Sequence, residues 1–127
     1  MTIRDRPWPD GYPCWVDLST DDRAGAWDFY ASVMGWQIVD TGAETGNYGI
    51  AWSDGASVAA IGEAPPGAPT AWATYFATSD ADATAEAIVA HGGTLILPPG
   101  DVGPMGRLTL APDPTGAVFG AWQAGLN

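Results

Sequence analysis

Two stretches of the chain carry the three-to-four residue apolar spacing of a helix packed along one side. In Ser19 to Gly35, Ala26, Phe29, Tyr30 and Val33 recur at that interval behind a Ser-Thr-Asp-Asp start, and Gly35 stands where a left-handed stop belongs. In Thr78 to Gly93 the arrangement returns through Ala81, Ala85, Ile88 and Val89, again with acidic capping residues and a glycine stop. Laid over one another, the two stretches register at an offset of 58, Asp22 on Asp80, Phe29 on Ala87, Tyr30 on Ile88 and Gly35 on Gly93. The chain contains an internal repeat.

Each helical stretch follows an extended segment, Cys14 to Leu18 and Trp72 to Ala77, and precedes three strand-like runs. After the first come Trp36 to Val39, Gly49 to Trp52 and Ser57 to Ile61, with Ser53-Asp54-Gly55 as a hairpin turn. After the second come Thr94 to Leu97, Arg107 to Leu110 and Val118 to Trp122, with Asp113-Pro114-Thr115-Gly116 turning between the last two. Each half reads β-α-β-β-β, which predicts an α+β fold. Module one spans about 12–63, a proline-rich linker 64–69, and module two about 70–124. Half-chains of this size bury too little surface to be secure alone, so the modules are expected to form one domain.

Composition narrows the function. Fifteen acids against four arginines, with no lysine, give a net charge of −11. Nothing neutralises phosphates, which excludes nucleic acid and disfavours anionic membranes. No apolar run approaches the roughly 18–20 residues of a membrane span. The first seven residues, Met1 to Pro7, lack the apolar core of a secretory leader. The expectation is a soluble, cytoplasmic domain with neither nucleic-acid nor membrane partners. Cys14 and His91 are the single cysteine and histidine, so no intrachain disulfide and no Cys/His zinc pattern can form.

The helix end Phe29-Tyr30…Gly35-Trp36, the His91-Gly92-Gly93 stop and Asp113-Pro114-Thr115-Gly116 before the last strand, set in two βαβββ modules, resemble the vicinal oxygen chelate superfamily. This is the group of glyoxalase I, extradiol dioxygenases and bleomycin-resistance proteins, and the resemblance covers residues 12–124. It implies modules curled into half-barrels, a site between them, a small-molecule ligand and a homodimer. The family's metal ligands carry over onto Trp15, Ala73, Gly120 and either Ala59 or Ala60, none of which can ligate. The expectation is therefore no metal and no cofactor. His91 falls at a helix end, where the dipole and solvent account for it.

Strand alternation proposes the lining of that site. Trp15, Asp17 and Ser19 share one face of the first strand, while Cys14, Val16 and Leu18 share the apolar face that a helix covers. By the same rule Ala73, Tyr75 and Ala77 face inward from the fifth strand, and Val118, Gly120 and Trp122 from the last. Trp52 forms a wall, and Met105 in the Gly103–Gly106 loop stands where the family often carries a lid. The lining is aromatic, small and singly acidic, which suits a flat, partly aromatic ligand with a polar or cationic group.

Asp17 has three open readings: an ion pair with Arg107, a ligand contact or general base, or exposure to solvent. Cys14 reads as a packed thiol, because nothing in the sequence beside it lowers its pKa. The segment Arg4 to Pro13 packs over a barrel mouth or an interface, or forms a loose tail. The leading expectation is metal-independent sequestration, as in the bleomycin-resistance branch. Beside it stand a cofactor-independent enzyme with Asp17 as base and Tyr75 as hydrogen-bond donor, and the family's metal-dependent lyase or dioxygenase chemistry.

Overall fold

The computed structural model describes residues 8–43, 48–64, 69–103 and 105–125. Arg4 to Pro7 of the N-terminal segment, Pro65 to Ala68 of the linker and Pro104 of the predicted lid loop lie outside them. The element order is β1 (Pro13–Thr20), α1 (Arg23–Met34), β2 (Gln37–Asp40), β3 (Gly49–Ser53), β4 (Ala56–Glu63), β5 (Ala71–Ala77), α2 (Ala81–Ala90), β6 (Leu97–Val102), β7 (Gly106–Pro112) and β8 (Val118–Ala124). This is βαβββ twice, as the repeat predicts.

The chain forms two compact units, one of residues 16–73 and the other of 1–15 with 74–127. In the first, the strand order is β2-β3-β4-β1. The β2–β3 and β3–β4 pairs are antiparallel and β4–β1 is parallel. In the second, the order β5-β8-β7-β6 repeats this plan, with β5–β8 parallel and the remaining pairs antiparallel. The residues before β1 belong to this second unit: Gly11 N–H donates to the Ala77 carbonyl and Ala77 N–H to the Tyr12 carbonyl, both at 2.8 Å.

The repeat extends to hydrogen bonds at the helix starts. Asp22 Oδ1 accepts from Gly25 N–H at 2.9 Å, and 58 residues later Asp80 Oδ1 accepts from Ala83 N–H at 3.0 Å. Each aspartate satisfies a donor that the first helical turn leaves unpaired. The stops differ. Gly35 takes the left-handed conformation directly after α1, whereas α2 ends on His91 and the left-handed residue is Gly92, one position earlier than the offset demands. Gly93 N–H then donates to the Ile88 carbonyl at 2.8 Å, and His91 Nδ1 sits 2.8 Å from the Ala87 carbonyl, which ties the ring to the helix end.

Helix α1 presents a different face from the predicted one. Ala26, Trp27 and Tyr30 are half-buried, while Phe29 and Val33 are 57% and 60% exposed. Trp27 sets this rotation. Its ring covers Gly49, where an added Cβ would come within 2.6 Å of the indole, and its N–H donates to the Ile61 carbonyl at 3.4 Å. Tyr30 turns to Trp36 and Trp72, with ring centroids 5.6 and 5.3 Å away, and its hydroxyl accepts from the Trp72 indole at 3.0 Å. Helix α2 buries Ala81 and Ala85, one turn apart, on the side of β7, and Gln123 Oε1 on β8 accepts from Ala81 N–H at 2.8 Å.

Strand β6 also departs from expectation, starting at Leu97 rather than Thr94. It runs through Pro98-Pro99-Gly100, residues that disfavour a strand interior. Proline cannot donate to a ladder, but β6 is the outer strand of its order, and the pairing skips from Leu97↔Leu110 to Gly100↔Leu108. The buried Thr109 hydroxyl donates to the Leu97 carbonyl at 2.7 Å, satisfying an acceptor next to the interruption. The Ser53-Asp54-Gly55 turn forms as predicted, with Asp54 and Gly55 both at positive φ, the conformation that suits a two-residue hairpin loop. At the second predicted turn, Asp113 Oδ1 accepts from Thr115 N–H and Oγ1 and from Ala117 N–H.

The matched caps carry a direct expectation. Asp22→Ala and Asp80→Ala should each cost about 1 kcal/mol of stability, and the double variant about their sum, because the two caps serve separate helices. Chemical denaturation of the three variants measures this, and a cost confined to one cap would contradict the equivalence of the repeats.

Candidate functional site

In the unit of residues 16–73 the sheet has a helix-covered face and an opposite face that is buried at Ala60 and Gly62 and exposed at its outer strands. Leu18 pairs with Ile61, and Ile61 with Gly49 beneath the Trp27 ring, so these residues lie under α1. Side chains alternate along strands, which puts Asp17 and Ser19 of β1, Ala60 and Gly62 of β4, Ile50 and Trp52 of β3 and Gln37 and Val39 of β2 on the opposite face. Asp17 is half-buried there, beside Ala60 in the ladder. At the outer strands a cleft of about 600 Å³ opens, lined by Gln37, Val39, Trp52 and the Ser53–Gly55 turn, with Trp52 38% exposed.

Tyr48 joins this face and went unnoticed in the sequence. It precedes β3, and its ring lies across Gly62, where an added Cβ would strike the ring carbons. Burial first, and the charge of Asp17 second, push its phenol above the ordinary tyrosine value. The signal was present as the alternation Tyr48, Ile50, Trp52, matched by a glycine in the neighbouring strand.

The second unit has the same division. Thr109, Ala111, Ala121 and Gln123 lie on the side of α2, and Tyr75, Gly120, Trp122, Leu108 and Gly106 belong to the opposite alternation. Tyr75 is only 4% exposed, with its ring against its ladder neighbour Gly120. The half-buried Trp122 covers Gly106 in the same manner. Trp15 is half-buried on the β1 segment of this unit. Met105 is exposed, and its loop is tied by backbone bonds from Met105 N–H to the Val102 carbonyl and from Gly125 N–H to the Met105 carbonyl. Cys14 is half-buried, donates from Sγ to the Tyr75 carbonyl at 3.5 Å, and is raised above the ordinary thiol value by burial, which opposes a nucleophilic role.

This unit also carries a cleft of about 560 Å³, lined by Trp8, Asp10, Ser79, Asp101, Arg107 and Gln123 among others. Arg107 binds Asp82 through Nε and Nη2 and Asp101 through Nη1, all at 3.0 Å. These bonds hold the guanidinium above its ordinary value and the Asp82 carboxyl below its own. Arg107, offered by the sequence as a partner for Asp17, is thus engaged by Asp82 and Asp101. Asp101 and Arg107 are opposite charges facing across a tight hairpin, a pairing that shows in the sequence only when β6 is carried through Pro98-Pro99-Gly100.

The structure therefore brings Asp17, Ser19 and Trp52 to one sheet face, together with Tyr48, and Tyr75 and Trp122 to one face of the other unit. The positions carried over for ligands are Trp15, Ala73, Gly120, Ala59 and Ala60, which offer no ligating side-chain atoms. Among the described residues no three His, Cys, Asp or Glu side chains are grouped to hold an ion. Nor is any described helix long and apolar enough to cross a membrane.

Known proteins of this architecture bear on the assignment. The chain is 43% identical over 120 residues to the putative glyoxylase CFP32 of Mycobacterium tuberculosis, covering 90% of this chain and 46% of that protein. It is 37% identical over 134 residues to the anthracycline biosynthesis protein DnrV of Streptomyces peucetius, covering 91% and 48%. The chain thus spans about half the length of these curated relatives. Among solved structures, the Mn(II)-bound glyoxalase from Novosphingobium aromaticivorans superposes with a TM-score of 0.65 at 20% identity, over 91% of this chain and 40% of that one. A Streptomyces coelicolor methylmalonyl-CoA epimerase variant in complex with 2-nitronate-propionyl-CoA superposes with a TM-score of 0.63 at 18% identity, over 93% and 100%. The sequence model of one family matches residues 14–120, and by that match the chain belongs to the Glyoxalase/Bleomycin resistance protein/Dioxygenase superfamily.

Proposed function

We propose that this chain binds a small, partly aromatic molecule bearing a polar or cationic group, without a metal, in a sequestering or resistance role. The carrying observation is Asp17: a half-buried carboxylate on the sheet face away from α1, the face by which Trp52 enters the cleft at the outer strands. Such a carboxylate attracts a cation, and the indole face offers stacking and cation–π attraction. The residues at the family's ligand positions support metal independence, since none offers a donor atom. Relatives named for anthracycline biosynthesis fit the same picture, anthracyclines being flat aromatic molecules.

Thermal unfolding in the presence of flat aromatic amines, their uncharged analogues and divalent metals tests this. A ligand at a hundred times its Kd stabilises by about 2.7 kcal/mol, so amines should raise Tm while neutral analogues raise it less and metals leave it unchanged. Asp17→Asn should weaken the amines roughly tenfold, the worth of a charge-assisted hydrogen bond, and the ligand should be recovered unchanged. Stabilisation by a stoichiometric transition metal would refute the proposal. Turnover that collapses in Asp17→Asn while binding survives would make Asp17 a general base instead.

The same reading takes the working form to be a cytoplasmic homodimer. Phe29, Val33 and Met34 are each more than half exposed on α1, an apolar surface that a second copy would cover. With a charge of −11 on each copy, association should strengthen as salt screens the repulsion. Sedimentation at low and high ionic strength should show this, with Val33→Glu shifting the chain to monomer. A monomer at every salt concentration would exclude the dimer.

A further inference from the structure

We infer that the cleft of the second unit, at the ends of β6, β7 and β8, is a separate binding site for an amino sugar, with the ammonium on Asp10 and Asp101 and the sugar hydroxyls on Gln123 and Arg107. It shares no residue with the site proposed in 16–73, and either can stand without the other.

Four pieces of one unit make the walls. The residues before β1 carry Trp8 and Asp10, the β5–α2 corner Ser79, the β6–β7 hairpin Asp101 and Arg107, and the end of β8 Gln123. Each piece is tied to a neighbour. Gly11 N–H donates to the Ala77 carbonyl, Ser79 Oγ to Asp10 Oδ2 at 3.0 Å, Gly125 N–H to the Met105 carbonyl and Ala81 N–H to Gln123 Oε1. The space of about 560 Å³ is thus framed before a ligand arrives, at a volume that suits a small molecule. Arg107 and Gln123 pair across β7 and β8, and both bond to α2, Arg107 at Asp82 and Gln123 at Ala81. Their side chains therefore lie away from the face of Tyr75 and Trp122.

The polar atoms that remain decide the ligand class. Ser79 takes one oxygen of Asp10 and Arg107 one oxygen of Asp101, so among the described residues each carboxylate keeps an oxygen that only accepts. Gln123 gives its Oε1 to α2 and keeps the N–H donors of its amide. Arg107 places three N–H groups on Asp82 and Asp101, which leaves two of its five. The cleft thus joins acceptors for a protonated amine to donors for neutral oxygens. Its described charges are two carboxylates and one guanidinium, itself bonded to Asp82, so a cation is attracted and a phosphate repelled. A polyamine would set its own donors against those of Gln123 and Arg107. A neutral sugar would bring no charge to the carboxylates. An amino sugar answers both sets, and the C–H face of its ring suits the indole of Trp8, which is 39% exposed.

Four probes separate these contributions: glucosamine, N-acetylglucosamine, whose charge is blocked, glucose, in which a hydroxyl replaces the amine, and cyclohexylamine, which has the amine without hydroxyls. Calorimetric titration of the full chain at neutral pH should show glucosamine binding roughly tenfold more tightly than glucose or N-acetylglucosamine, the worth of a charge-assisted hydrogen bond. It should exceed cyclohexylamine roughly fivefold, the worth of one neutral hydrogen bond. Asp10→Asn combined with Asp101→Asn should bring glucosamine down to glucose, with thermal unfolding as the check that the double variant folds. Asp17→Asn should change none of the four. Failure of glucosamine to bind, equal binding of cyclohexylamine, or a preference over glucose that survives in the folded double variant would each overturn the site. Glucosamine binding lost in Asp17→Asn would place it in the other unit and overturn this assignment while leaving the proposed function intact.

Discussion

Aromatic rings lying flat across strand glycines are the constraint on which both units depend. Trp27 covers Gly49 and Tyr48 covers Gly62 in one unit, and Tyr75 covers Gly120 and Trp122 covers Gly106 in the other. Gly62 and Gly120 are 58 residues apart, the repeat offset, and each sits in the final strand of its module beneath a tyrosine. At each of these glycines a Cβ would overlap ring carbons, so the ring fixes the residue as firmly as the residue seats the ring. Overpacking a site of this kind typically costs about 1–3 kcal/mol. The glycines therefore decide where the large side chains go, and through them which parts of each sheet are left open.

The helix-covered faces follow a complementary rule. They are built mainly from alanine: Ala51 and Ala59 under α1, and Ala81, Ala85, Ala111 and Ala121 around α2, all buried. Small side chains bring helix and sheet backbones close and leave little volume to specify a unique fit, so a few directional bonds supply the definition. The Trp27 indole on Ile61, Gln123 on the start of α2 and the paired aspartate caps do so. Glycines place Trp27, Tyr48, Tyr75 and Trp122, and polar groups lie near two of these rings. The charge of Asp17 reaches the Tyr48 phenol in one unit, and in the other Arg107, bonded to Asp101, follows the glycine that Trp122 covers.

Much of this was legible in the sequence, and the rest was hidden for identifiable reasons. The repeat, both caps, both turns and the alternation that puts Asp17 opposite Leu18 are local patterns, set by periods of two and 3.6 and by capping chemistry. What escaped reading depended on partners distant in sequence. The rotation of α1 is set by Trp27 meeting Gly49, twenty-two positions later, so the local apolar count chose Phe29 and Val33 instead. Tyr48 lies across β4 only because Gly62 makes room for its ring. Strand β6 runs through two prolines that local rules treat as a break, and it is tolerated because that strand is outermost and its pairing skips them.

The central claim is that Gly62 seats the Tyr48 ring across the strand, where burial and the charge of Asp17 hold its phenol above the ordinary value. The most direct test is the phenolate titration of Gly62→Ala, with thermal unfolding as a check that the chain still folds. A methyl group at position 62 should push the ring off the strand, and the late-titrating phenol should fall back to the ordinary tyrosine range. A folded Gly62→Ala protein that keeps its late-titrating tyrosine would contradict the account.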